Sequence, residues 1–206
     1  MSCLIFHKNL NKVLVIGPIY DKLEKLKRAG NLIDNYDLTI FNGSLCYPYD
    51  NLDEVEKRIE LMDELIKTGK VVYNLSNYDL ELSNVLFEKD QRPKIRNWIK
   101  DKPNVVIIEF KSQSNYIVTS GGMNPRFNRE SLLDNIETSF ISNINGVPWH
   151  KTYSGLYGYV ISNNPLTDQE PQFHNYSAQI GNAYNSETQV YAQEVEPFGL
   201  KRTILL

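Results

Sequence analysis

Residues 12–16, Lys-Val-Leu-Val-Ile, end in an unbroken apolar, β-branched run that Gly17-Pro18 closes. The pattern predicts a buried strand that stops where proline removes a ladder donor. Asp21 and Glu24 have the spacing of a capping box, Leu23, Leu26 and Ala29 fall on one helical face, and Gly30 supplies a stop. Residues 38–41 predict a second strand, closed by Asn42-Gly43. Asn51 with Glu54 opens a second helix whose apolar stripe is Val55, Ile59, Met62 and Ile66, and Gly69 ends it. Residues 70–73 are the third strand. Strands that alternate with helices of this length predict an α/β fold with a largely parallel sheet.

The second half reads as strand-rich. Residues 105–110 and 116–119 predict two strands joined by a polar turn, and 156–161, 178–181, 188–195 and 201–205 predict more. Residues 130–139 predict a helix, and 143–151 and 163–176 predict long loops. No internal repeat or low-complexity linker interrupts the pattern. The 206 residues suffice for one sizeable core and fall short of two, so a single domain over 1–206 is expected.

Composition narrows the class. Hydrophobic residues at 41% and charged residues at 23% are globular proportions and exclude a disordered chain. A net charge of −3 gives no global attraction to nucleic acid. Cys3 and Cys46 form no motif, so no disulfide framework is expected, and Cys46 reads as a small buried residue. No apolar stretch approaches the roughly 18 residues of a membrane span. The apolar run at 3–6 is too short for a leader, so the expected location is cytoplasmic. Abundant Asn, Lys, Ile and Tyr with scarce Ala suit an AT-rich genome such as many phages have, which extends that expectation to host cytoplasm or virion.

Short segments at the predicted strand ends raise the question of chemistry: Ile16-Gly17-Pro18-Ile19-Tyr20-Asp21, Asn42-Gly43-Ser44-Leu45, Leu75-Ser76-Asn77-Tyr78-Asp79, Thr119-Ser120-Gly121-Gly122 and Ile161-Ser162-Asn163-Asn164-Pro165. In order and spacing, over about residues 12–195, they resemble the calcineurin-like metallophosphoesterases, in particular the serine/threonine phosphatase and diadenosine-tetraphosphate hydrolase branch. The resemblance implies a sandwich of two mixed β-sheets flanked by helices. It also implies a site beyond the strand ends, where that family holds two divalent cations that make a hydroxide nucleophile.

Measured against that family, the ligands are replaced. The Asp and His of the first motif, Gly-Asp-x-His-Gly, are here Pro18 and Tyr20. The bridging Asp is Ser44, and the catalytic His of Gly-Asn-His-Asp is Tyr78 beside a retained Asn77 and Asp79. The two later His ligands are Ser120 and Asn163. One neutral amide does not hold two cations. The resemblance therefore implies a degenerate site of Pro18, Tyr20, Ser44, Asn77, Tyr78, Asp79, Ser120 and Asn163, filled by Tyr20 and Tyr78, without metal, cofactor or catalytic residues. A protein that is not an enzyme is expected, a pseudo-phosphoesterase acting as a structural or protein-binding module. The partner is another protein, oligomerisation stays open, and Trp149, His150, Tyr153 and Phe173 are the candidate anchors. Two alternatives are a metal-free small-molecule or nucleotide binder using Asn77, Asn163 and Arg129, and a phosphoesterase with the rearranged ligands Asp21, Asp50, Asn77 and Asp79.

Overall fold

The computed structural model describes residues 4–20, 23–47, 50–88, 92–112, 115–120, 159–162, 171–175, 177–180 and 190–206. Their elements are β1 (Leu4–Leu10), β2 (Val13–Ile16), α1 (Leu23–Gly30), a 3-10 turn (Ile33–Asn35), β3 (Leu38–Asn42), α2 (Leu52–Lys67), β4 (Val71–Asn74), α3 (Asn77–Glu88) and α4 (Pro93–Lys100). Then come β5 (Val105–Phe110), β6 (Asn115–Thr119), β7 (Tyr159–Ser162), β8 (Gln172–His174), β9 (Ser177–Gln179), β10 (Tyr191–Glu196) and β11 (Gly199–Leu205).

The strands form two mixed sheets, one in the order β11-β10-β2-β3-β4 and the other β1-β5-β6-β7-β9-β8. As expected, β2, β3 and β4 are parallel. β10 runs antiparallel to β2, and β11 antiparallel to β10. In the other sheet β5 and β6 are an antiparallel hairpin, while β7 joins β6 in parallel. The expected sandwich of two mixed sheets flanked by helices is the fold observed.

β2 is buried on both faces, which is why its apolar run does not alternate. Val13, Val15, Leu38 and Ile40 face the second sheet and pack with Val106, Ile108, Val118 and Ile161. Leu14, Ile16 and Phe41 face the helices and meet Leu26, Val55, Ile59 and Met62. Full burial of each such side chain contributes about 1.5–3 kcal/mol. Asn51 caps α2 through its side-chain oxygen, which accepts from Asp53 N, and Gly69 beyond its end takes φ +75°.

Other elements differ from expectation. β1 adds to the second sheet in parallel with β5, with a register shift between Lys8 and Leu10. Lys8 and Asn9 interrupt its apolar pattern, and Asn9 has φ +62°. The predicted loop at 163–176 contains β8, a three-residue strand held by pairing with β9. Tertiary pairing made a strand there that local sequence did not announce. The predicted helix at 130–139 and loop at 143–151 lie outside the described residues.

Candidate functional site at the strand ends

β2, β3 and β4 end side by side, and the segments that follow them meet. Ile19 N and Tyr20 N donate to Ser44 O at 3.2 and 2.7 Å, and Gly43 N donates to Asn74 O at 2.7 Å. Ser44 Oγ and Ser76 Oγ share a hydrogen bond of 2.5 Å. Pro18, Tyr20 and Ser44 are buried in this cluster, and Asn77, Tyr78 and Asp79 form the first turn of α3 beside it. Gly17 permits the convergence: a Cβ there would stand 2.6 Å from Ile180 O. Its N–H donates to Tyr191 O at 2.8 Å.

A pair of amides joins the two sheets under the cluster. Asn42 and Asn74 are register partners at the ends of β3 and β4. Asn74 Nδ2 donates to Asn42 Oδ1 at 2.8 Å, and Asn42 Nδ2 crosses to Thr119 O of β6 at 3.0 Å. Ser120, next in the chain, is buried at the same end. Asn74 Oδ1 is buried without a hydrogen-bond partner among the described residues.

Asp79 is fully buried. Its carboxylate accepts from Tyr73 OH at 2.7 Å, Ser76 Oγ at 2.8 Å, Ser76 N at 2.9 Å, and Leu45 N and Cys46 N at 3.2 Å. Asp79 N returns a bond to Ser76 Oγ at 3.4 Å. Ser76-x-x-Asp79 is thus a capping box for α3, with Asp in the place of Glu. The spacing stood in the sequence, but Ser76 and Tyr73 were not identified there as partners of Asp79. Burial raises the Asp79 carboxyl above its ordinary value against these donors. Burial, then Asp79, push the Tyr73 phenol well up. Cys46 is buried as expected, and burial raises its thiol well above the ordinary value, which disfavours the thiolate.

These residues do not fit a pair of divalent cations. Among the described residues of the cluster, the buried carboxylate Asp79 is committed to a helix cap and a phenol, and Ser44 to Ser76. Asp50 is paired with buried Arg58 and accepts from Tyr47 N at 3.0 Å. Among the described residues no group of three or more His, Cys, Asp or Glu stands where it could hold a metal ion. Asp21, Asn163, Arg129 and Gly121-Gly122 lie outside the described residues.

Three tyrosines lie over the cluster. Tyr78 is 6.3 Å from Tyr20 and 4.9 Å from Tyr47 between ring centroids, with planes tilted by 59° and 55°. Tyr20 is 4% exposed and sits at φ +53°, a left-handed conformation that bulky residues rarely take. Tyr47 and Tyr78 are half-buried. Of the expected anchors, Phe173 is 50% exposed. It lines a pocket of about 260 Å³ with Pro171, Tyr191, Thr203 and Leu205. Trp149, His150 and Tyr153 lie outside the described residues. No described helix is long and apolar enough to cross a membrane.

No family model matches the chain, and no curated protein matches it. Solved structures do. A protein assigned as a diadenosine tetraphosphatase has 15% identity and a TM-score of 0.69, over 98% of this chain and 97% of that one. A protein serine/threonine phosphatase from Saccharomyces cerevisiae has 14% identity and a TM-score of 0.55, over 95% of this chain and 79% of that one. A cold-active protein-tyrosine phosphatase of a psychrophilic Shewanella has 9% identity and a TM-score of 0.55, over 100% of this chain and 82% of that one. The expectation that the chain is not an enzyme is therefore corrected: the ligand replacements implied by the resemblance suggested it, and the structures named here that share the fold are phosphatases. The chain has the metallophosphoesterase-like fold of these phosphatases.

Proposed function

We propose that this chain recognises phosphate esters at its strand ends, through neutral hydroxyl, amide and main-chain N–H groups in place of paired cations. The observation that carries this reading is the convergence of Ser44, Ser76, Asn42 and Asn74 where three parallel strands end, with Asp79 as a carboxylate fully engaged by donors. Ligands of parallel α/β sheets bind beyond these ends. A bed of carboxylates takes a phosphate through cations. Hydroxyls and amides carry no formal charge to repel the anion, and because those of the cluster are bonded to one another, to Thr119 O and to Asp79, an ester binds by exchanging for these bonds. The phosphatases that share the fold support the ligand class and make turnover of such an ester the activity to assay first.

Thermal melts and calorimetry with adenosine monophosphate and glycerol 3-phosphate, in EDTA and in Mn²⁺, test the reading. Expected is stabilisation in EDTA equal to that in Mn²⁺, about 2.7 kcal/mol at a ligand concentration of 100 times Kd. Binding that requires Mn²⁺, or no binding, overturns it.

A second reading, partner binding, has one observation in its favour: Phe173 and Leu205, 50% and 54% exposed, share a pocket beside β11, the outer strand of its sheet. An extended segment of a partner protein laid along β11 suits that edge. On this reading Phe173→Asp abolishes partner capture and leaves ester binding unchanged.

A further inference from the structure

We infer that Arg58 is the anion-binding side chain of this site, its guanidinium taking an oxygen of the phosphate group beside the strand-end hydroxyls. The inference rests on the phosphate-ester reading above and adds a positive charge to the neutral groups of that reading.

Arg58 lies on α2, on the helix face that carries Val55, Ile59 and Met62 into the core, and it is 3% exposed. Arginine is rarely buried to this degree unless its charge is matched and its donors are used. The charge is matched, because Nη2 pairs with Asp50 Oδ2. The donors are not all used. A guanidinium has five N–H groups, and here Nε is buried without a hydrogen-bond partner among the described residues. Asp50 is shared as well, since its Oδ2 also accepts from Tyr47 N at 3.0 Å. A buried cation with a donor left over is completed by an anionic acceptor.

The place of this guanidinium follows from helix geometry. Helical side chains lean toward the N-terminus of their helix, and Arg58 reaches back to the segment between β3 and α2. That segment begins at the strand-end cluster, and its successive amides are divided between two carboxylates. Leu45 N and Cys46 N donate to Asp79, and Tyr47 N donates to Asp50. After burial, the Cys46 thiol is raised by Asp79 and lowered by Arg58, so both charges act on the same residue. Ser44, two residues before Cys46, carries the hydroxyl that meets Ser76. The hydroxyls are bonded to one another and orient an anion without attracting it. A guanidinium attracts it, and its planar fork matches phosphate oxygens.

The test uses the full chain and two variants with opposite expectations, Arg58→Gln and Asp50→Asn, and melts without ligand establish that each is folded. Where Arg58→Gln does not fold, Arg58→Lys takes its place, since it keeps the charge beside Asp50 and loses the planar fork. The probes are glycerol 3-phosphate, inorganic phosphate and, as the neutral control, glycerol, measured by calorimetry in EDTA. Expected is binding of both phosphates and not of glycerol, weakened about tenfold or more by Arg58→Gln. Asp50→Asn removes the competing carboxylate and is expected to bind both phosphates at least as tightly as the wild type. Affinities unchanged in Arg58→Gln overturn the role of Arg58 and leave the phosphate-ester reading standing. So does an equal loss in both variants, which is the result of an ion pair that only supports the fold. Arg58-dependent binding of inorganic phosphate with no binding of the ester supports the anion site and overturns the phosphate-ester reading. Binding of none of the probes overturns both.

Discussion

Asp79 is the side chain whose role changes most between sequence and structure. The resemblance implied a place for it beside a catalytic imidazole, at a position where the sequence has Tyr78. Buried and bonded to Tyr73, Ser76, Leu45 and Cys46, it ties β4, the start of α3 and the segment after β3 into one unit. Asp79→Ala leaves those donors without an acceptor and is expected to lower stability by about 3 kcal/mol, measured by chemical denaturation. The same variant melting like the wild type would show that the network is dispensable. At this scale the sequence was half legible. Residue types at Pro18, Tyr20 and Ser44 carried the ligand replacements that the resemblance implied. They did not show which hydroxyl meets which carboxylate, because the Ser44–Ser76 contact joins two strand ends that only the sheet brings together.

Among the elements, the apolar strands were the most readable because burial on both faces leaves no alternation to misread. α3 and α4 were overlooked for different reasons. The first turn of α3 falls within the strand-end segment 75–79, whose residues carry no apolar stripe. α4 carried an ordinary signal, with Pro93 at its start and Ile95, Trp98 and Ile99 buried on one face. Gly17 is the junction between elements that tolerates least. A methyl group there meets Ile180 O at 2.6 Å and Tyr191 O at 3.2 Å, both backbone atoms of strand-end segments. Gly17→Ala is therefore expected to cost about 2 kcal/mol or more and to loosen the strand ends. Reduced protection of the Gly17 and Tyr20 amides against hydrogen exchange is the measurement, and unchanged protection would contradict it.

At the scale of the whole molecule, a charged cluster around Glu194 contributes to the acid response. Glu194 of β10 accepts from Tyr36 OH at 3.0 Å and Arg202 Nε at 3.1 Å, and pairs with Lys12 Nζ at 3.3 Å. Burial pushes the Glu194 carboxyl up, but these partners together bring it below its ordinary 4.5. The bond from Asn11 N foremost, with that from Lys12 N, holds Asp37 below its ordinary 3.8. The unfolded chain binds these protons more readily, so their contribution to stability is complete above the ordinary values and is lost as pH falls through the lowered ones. Asp79, raised by burial, has the opposite sign: its contribution falls as pH rises from 3.8 toward its folded value. Glu194→Gln is expected to flatten the fall in melting temperature below pH 4.5. A slope identical to the wild type would exclude Glu194 as its source.

The five-stranded sheet is spliced from the two ends of the chain: Ile16 pairs with Ala192 and Val13 with Val195. During synthesis β2, β3 and β4 leave the ribosome first, with the β2 edge open until β10 is made. At roughly 5–20 residues per second that wait lasts on the order of tens of seconds. For that interval a strand apolar on both faces offers an unpaired backbone to any other nascent chain. In a cell, the yield of this protein is therefore expected to depend on what shelters β2 before β10 arrives.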